Sequence, residues 1–199
     1  MKKLTILTFL LLFVFFQTLK AQSQNNEIYA GYGAAPLPQV YELFLFNMLI
    51  PAVTFGTYET RDYGLSGEFF AGYNYKPVKW ISVGVMGGYM SSKREFTSTV
   101  NSNNKLTVTM NHLVILARGD IHYTGDNIVD LYSGISLGLW NTNSSGKTDL
   151  NSPEAKVSTS HGGFHFNLLG IKIGNQIGGF AEFGLGVNGT INLGVFGRF

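Results

Sequence analysis

The sequence predicts an all-β fold, an eight-stranded antiparallel transmembrane β-barrel, with ten strands as the alternative. Three observations predict it. Segments of about ten residues alternate apolar and polar side chains with a period of two, the pattern of strands between lipid and a lumen. Glycine is frequent (25 residues), aromatics reach 14%, and charged residues only 13%, about half the usual share. Connections between successive segments are mostly short and long in turn, as expected for turns at one barrel end and loops at the other.

The chain opens with a signal-peptide pattern. Lys2 and Lys3 precede an apolar run, Leu4 to Phe16, interrupted by Thr5 and Thr8, and cleavage is expected between Ala21 and Gln22. The run falls short of the roughly 20 residues of a spanning helix. Residues 1–21 are thus read as signal peptide and 22–199 as one barrel domain. The absence of cysteine excludes a lipoprotein anchor, disulfides, thiolate chemistry and cysteine zinc sites. A net charge of +2 gives no basic footprint for nucleic acid.

The first strand is expected over Glu27 to Gly33, with Ile28, Ala30 and Tyr32 outward. The second runs from about Tyr58 to Tyr75. Tyr63, Leu65, Gly67, Phe69, Ala71, Tyr73 and Tyr75 point outward, and Gly64, Ser66, Glu68 and Asn74 inward. A turn at Lys76-Pro77-Val78-Lys79 leads to the third strand, Trp80 to Met90, with Val83, Val85 and Tyr89 outward. The fourth covers Leu106 to Tyr123. It puts His112, Arg118, Asp120 and His122 inward, and its phase slips near Asn111, which predicts a bulge or an upper part standing above the bilayer.

Thr124-Gly125-Asp126-Asn127 is a turn signal. The fifth strand, Ile128 to Trp140, sets Val129, Leu131, Ile135, Leu137 and Leu139 outward and Asp130, Tyr132, Ser136 and Gly138 inward. The sixth, about Val157 to Ile173, slips phase near Leu168, and Asn175-Gln176 then turns the chain. The seventh spans Ile177 to Val187, with Val187 outward and Glu182 inward, and Asn188-Gly189 reads as a two-residue hairpin. Tyr32, Tyr63 and Tyr89 fall at one interface level, and Tyr73, Tyr75, Tyr123 and Phe199 at the other, the two aromatic girdles of a membrane barrel. A soluble up-and-down barrel would need the polar set outside, where it has too many glycines and too few charges.

The chain ends Ile191-Asn192-Leu193-Gly194-Val195-Phe196-Gly197-Arg198-Phe199, apolar on one face, polar and glycine-rich on the other. This ending resembles the C-terminal strand of bacterial outer-membrane β-barrels. The mature chain is similar to small barrels of the OmpA/OmpX type, with a Bacteroidetes-like signal ending at Lys20-Ala21-Gln22. The resemblance implies an outer-membrane location in a Gram-negative envelope, contact with outer-membrane lipid, and Phe199 as the signal read by the barrel-assembly machinery. No residue motif for an activity carries over.

Eight strands leave a lumen just wide enough for side chains to fill it. The charged residues expected inside are Glu27, Glu68, Arg118, Asp120, Asp130, Lys172, Glu182 and Arg198, with His112, His122 and His165 beside them. Confined charges must pair to offset desolvation, so a plugging ion-pair network is expected, with a narrow gated ion path as the alternative. No catalytic residue is assigned. An outer-leaflet lipid-modifying enzyme would need Ser, His and an acid together, and the adjacent Ser160 and His161 fall on opposite strand faces. His161 and His165 lie about 13 Å apart along a strand, too far to share a metal. No cofactor is implied.

Val40 to Phe55 is nearly all apolar around Glu42, Asn47 and Pro51. A short helix capping the barrel mouth or lying on the outer leaflet is favoured over an extra strand pair. The stretches Ser91 to Lys105 and Asn141 to Lys156 read as polar surface loops. The function expected is a non-enzymatic barrel that supports the envelope or presents loops to an unidentified surface ligand.

Overall fold

The computed structural model describes residues 25–55, 57–99, 105–124, 128–148 and 155–199. The signal-peptide region and the turn residues Gly125 to Asn127 lie outside the described residues. Eight strands form one closed antiparallel barrel in chain order. They are β1 (Asn26–Ala34), β2 (Tyr58–Val78), β3 (Ile81–Ser98), β4 (Lys105–His122), β5 (Val129–Thr148), β6 (Ala155–Gly174), β7 (Ile177–Gly186) and β8 (Ile191–Arg198). Closure is made by β1 on β8, with Glu27 opposite Arg198 and Ala34 opposite Ile191. Phe199 and Asn26 exchange backbone hydrogen bonds of 2.9 and 3.1 Å at the seam. Over the length of β1, β7 and β8 the closed ring pairs every strand on both sides, which removes the open edge that a sheet otherwise presents.

Period-two alternation sets which side chains line the interior. Along β4, Met110, His112, Val114, Leu116, Arg118, Asp120 and His122 are all buried, while Leu113, Ile115 and Ile121 are exposed. The ladders of β4 with β3 and β5 run without a register shift, so of the two alternatives expected near Asn111 the bulge does not form. The apparent slip arose because Met110, Val114 and Leu116 are apolar residues that face inward. The slip near Leu168 is real. Asn167 pairs with Gly184 and Leu169 with Phe183, leaving Leu168 as the extra residue. Leu168 and Leu169 both point out, at 52% and 54% exposure, and Ser133 donates to the Leu168 carbonyl at 2.5 Å.

Other boundaries also move. Strands β3 and β5 run on to Ser98 and Thr148, so most of the expected loops 91–105 and 141–156 is strand. Polar pairs carry the ladder there: Tyr89 and Ser91 donate to Asn111 and Asn141 donates to Ser160. The turn after β2 is Lys79-Trp80, so Lys76 lies within the strand and points inward. The link between β7 and β8 has four residues, Val187 to Thr190, closed by Gly184 N–H to the Thr190 carbonyl at 2.9 Å. It is not a two-residue hairpin, and Val187 turns into the core at 1% exposure. In β2, Gly67 takes a φ of +66° at a register shift, a conformation that favours glycine. Ser66 holds this bulge by accepting from Ser91 N–H and donating to the Gly67 carbonyl.

The apolar segment between β1 and β2 is helical, and no extra strand pair forms there. It consists of α1 (Leu37–Phe44), a π-helical stretch (Leu45–Leu49) and α2 (Ile50–Val53). Pro38 occupies a first-turn position of α1, where the missing N–H costs nothing, while Pro51 follows directly on the π-helical stretch. The π stretch, closed by Ile50 N–H to the Leu45 carbonyl, widens the turn just before Pro51.

Candidate functional site

The interior is layered along the barrel axis. At the end where the termini meet, Glu27 accepts from Lys172 at 2.5 Å and from Arg198 at 3.0 Å. Asp130 lies 3.2 Å from Lys76, 3.3 Å from Arg198 and 2.9 Å from His122. His122 Nε2 also pairs with Ser82, whose hydroxyl donates to Asp120. One layer inward, Arg118 donates to both Asp120 oxygens at 2.8–2.9 Å and to Glu182 at 2.5 Å, and Tyr132 donates to the same Glu182 oxygen. Aromatic rings pave the space between. Arg118 lies over Tyr29 and Tyr132, Lys172 over Tyr132, and Arg198 over Phe196. These contacts add to the ion pairs where water is excluded.

Seven of the eight charges expected in the lumen are brought together. Four acids (Glu27, Asp120, Asp130, Glu182) meet four bases (Lys76, Arg118, Lys172, Arg198), the last set completed by Lys76, where the sequence predicts a turn. The balance of four against four removes the cost of an uncompensated buried charge. Glu68 does not join. It faces inward with 0% exposure, and neither carboxyl oxygen has a hydrogen-bond partner among the described residues. His165 is likewise buried, with no partner for either ring nitrogen among the described residues.

At the opposite end a second polar cluster holds the helix. Glu42 of α1 is buried and accepts from Ser92 at 2.6 Å, pairs with His112 Nε2 at 2.6 Å, and lies 3.9 Å from Arg94. His112 Nδ1 pairs with the Thr142 hydroxyl, onto which Trp140 Nε1 also donates. Gln39 donates to the Ser91 carbonyl, and Arg94 lies over the Phe46 ring. Periodicity missed this cluster because Glu42 sits in a helix whose target strands are 50 and 70 residues away. The order hydroxyl, imidazole, carboxylate is that of a nucleophile relay. Here the hydroxyl on the imidazole is that of Thr142, which is held by Trp140 Nε1 as well, and Glu42 and His112 are 4% and 2% exposed. The arrangement fastens a helix.

The other chemical candidates stay apart. Ser160 is tied to Asn141, while the His161 ring packs on Trp140. Among the described residues no group of three or more His, Cys, Asp or Glu is placed to hold a metal ion.

No protein-family profile matches the chain, and no curated protein matches it. Solved structures similar to it include Ail, the attachment invasion locus protein of Yersinia pestis, in complex with the heparin analogue sucrose octasulfate. It is 13% identical, over 87% of this chain and 96% of that one, with a TM-score of 0.45. The N-terminal β-barrel domain of Pseudomonas aeruginosa OprF is 14% identical, over 89% of this chain and all of that one, with a TM-score of 0.46.

Proposed function

We propose that the chain is a non-enzymatic outer-membrane β-barrel whose lumen is plugged by side chains, and that it supports the envelope or presents its long-strand end to a surface ligand. One observation carries the reading, namely the inversion of polarity across the wall. Val85, Ile115, Leu137, Leu193 and Val195 point outward at 57–63% exposure, while the ion pairs are sealed inside. A water-soluble barrel would leave that apolar belt in contact with water, far beyond the patch a soluble surface tolerates. Lipid removes the cost, and closure satisfies the backbone. Outward Tyr32 and Tyr89 at one height and Tyr73, Tyr75 and Tyr123 at the other support the same membrane band.

The paired charges favour a plug over a channel, because conduction needs a continuous wet path and the four-against-four network lies across it. In this reading residues 1–21 direct export, outer-membrane lipid is the surrounding partner, and Phe199 is the residue offered to the barrel-assembly machinery. The test is heat modifiability. Outer-membrane fractions run on a gel with and without boiling should show a mobility shift. Release of the protein into the soluble periplasm with no shift would overturn the reading.

A further inference from the structure

The helical segment between β1 and β2 is uncharged apart from Glu42, and Glu42 is turned into the barrel. Its other side carries Val40, Tyr41, Phe44, Met48, Leu49 and Val53, all exposed, with Met48 and Val53 at 64%. A monomer surface seldom leaves such a continuous apolar face uncovered.

The height of this face follows from the register. Outward side chains on the long strands change from apolar to polar at one level: Tyr89 and Leu113 are cross-strand neighbours, and Leu113 stands opposite Asn141. His112, which holds Glu42, is adjacent to Leu113 in the chain. The start of the helix, Leu37 to Glu42, is therefore pinned at the upper edge of the apolar belt, whereas its second half climbs the inner wall, with Phe46 on Phe96, seven residues further up β3 than Tyr89.

The direction follows from the topology. Glu42, Gln39 and Phe46 contact β3 and β4. In a ring of eight strands the wall opposite β3 and β4 is β7 and β8. That wall is low. β8, β1 and β7 have 8, 9 and 10 residues, whereas β2 to β6 have 18 to 21. Pairing of β6 with β7 stops at His165, and pairing of β2 with β1 stops at Glu68. The ten residues of β6 beyond that point rise about 30 Å further along the strand. The barrel rim thus has a notch over β7, β8 and β1, and the apolar helix face looks out through it. Outward Tyr32 and Ile191 lead the belt up to the notch, and Leu37 continues it onto the helix.

We propose that the lower part of this helix face, Leu37, Val40 and Tyr41, is a membrane-binding surface. It inserts into the outer leaflet through the notch and meets acyl chains at the level where the short strands end. The inference rests on the membrane-barrel reading. The face suits acyl chains because it offers no charge and no unpaired backbone edge, and interfacial helices sit about 5–10 Å into the headgroup boundary.

The absence of cysteine allows a direct test. Single variants Val40→Cys and Tyr41→Cys on the helix, Leu137→Cys on the belt and Ser158→Cys on the upper part of β6 are labelled with an environment-sensitive fluorophore. Each is reconstituted in phosphatidylcholine vesicles with or without lipid spin-labelled at a shallow or at a deep acyl-chain position, and its heat shift confirms folding. Quenching of both helix positions, comparable to Leu137→Cys, with Ser158→Cys unquenched, is the expected result. If Leu137→Cys is quenched and the helix positions are not, the helix proposal is overturned and the barrel reading stands. A blue-shifted helix label that lipid does not quench, on a protein that runs as a dimer, would give the face to a second copy and overturn it as well. If Leu137→Cys is itself unquenched, the membrane reading fails, and this inference with it.

Discussion

Glu42 Oε1 and His112 Nε2 lie 2.6 Å apart, joining the helix after β1 to the inner face of β4 across 70 residues of sequence. The same carboxylate takes the Ser92 hydroxyl at 2.6 Å. Hydrogen bonds to a buried charged group contribute about 1.5–3 kcal/mol each. Glu42→Ala should therefore release the helix without opening the barrel. Limited proteolysis is expected to cleave near residues 44–55 faster in the variant, while the heat shift on gels persists.

The terminal-end network should behave as a buried ion pair. Glu27→Gln leaves Lys172 and Arg198 facing a neutral amide, and removing one partner of such a pair costs about 3–5 kcal/mol. Replacing both Glu27 and Lys172 by Met removes the partners together and should recover much of that loss. Urea unfolding of the reconstituted barrel measures both. Equal destabilisation by the single and double variants would argue against coupling.

Glu68 should respond in the opposite sense. It is fully buried with no hydrogen-bond partner among the described residues, and replacing an unsatisfied polar group by an apolar one of similar shape is neutral or stabilising. Glu68→Met is expected to leave the urea midpoint unchanged or raise it. A clear drop would show that this carboxyl has a role in the folded barrel.

Gly170 tests packing. A Cβ there would lie 2.6 and 2.7 Å from carbons of the Tyr132 ring, which is itself fixed by its hydroxyl on Glu182. Gly170→Ala should destabilise by about 1–3 kcal/mol through overpacking, read from the same urea curves. Gly119→Ala, with open space around its Cβ, serves as the control.

Leu137 tests the belt. In the proposed orientation Leu137→Arg puts a cation on the lipid face, at a cost of about 2–4 kcal/mol near the bilayer midplane. Its neighbour Ser136 faces inward, so the two positions report opposite environments. Stability in vesicles should fall for Leu137→Arg. The same substitution in a soluble barrel with a hydrated exterior would be nearly silent.

Strand number, strand order and the inward or outward sense of most side chains were legible in the sequence, because a period of two is a local property that each segment carries by itself. That is why Asp120, Asp130, Lys172, Glu182 and Arg198 could be placed inside without coordinates. The errors fell where one residue serves two patterns. Inward Met110, Val114 and Leu116 looked like a phase slip. Lys76 looked like a turn beside Pro77. Polar residues 91–98 and 141–148 looked like loops, since a strand beyond the apolar belt loses its hydrophobic alternation but keeps its ladder.

Local alternation thus determined a barrel with a polar interior. Only the tertiary structure decided which charge meets which, because ring closure brings Glu27 beside Arg198 and Lys172, 171 and 145 residues away. It alone decided that Glu68 stands apart, that Glu42 fastens a helix in the mouth, and that the rim is low over β7, β8 and β1. Those facts depend on register and strand length around a closed ring, and neither quantity is written into any single strand.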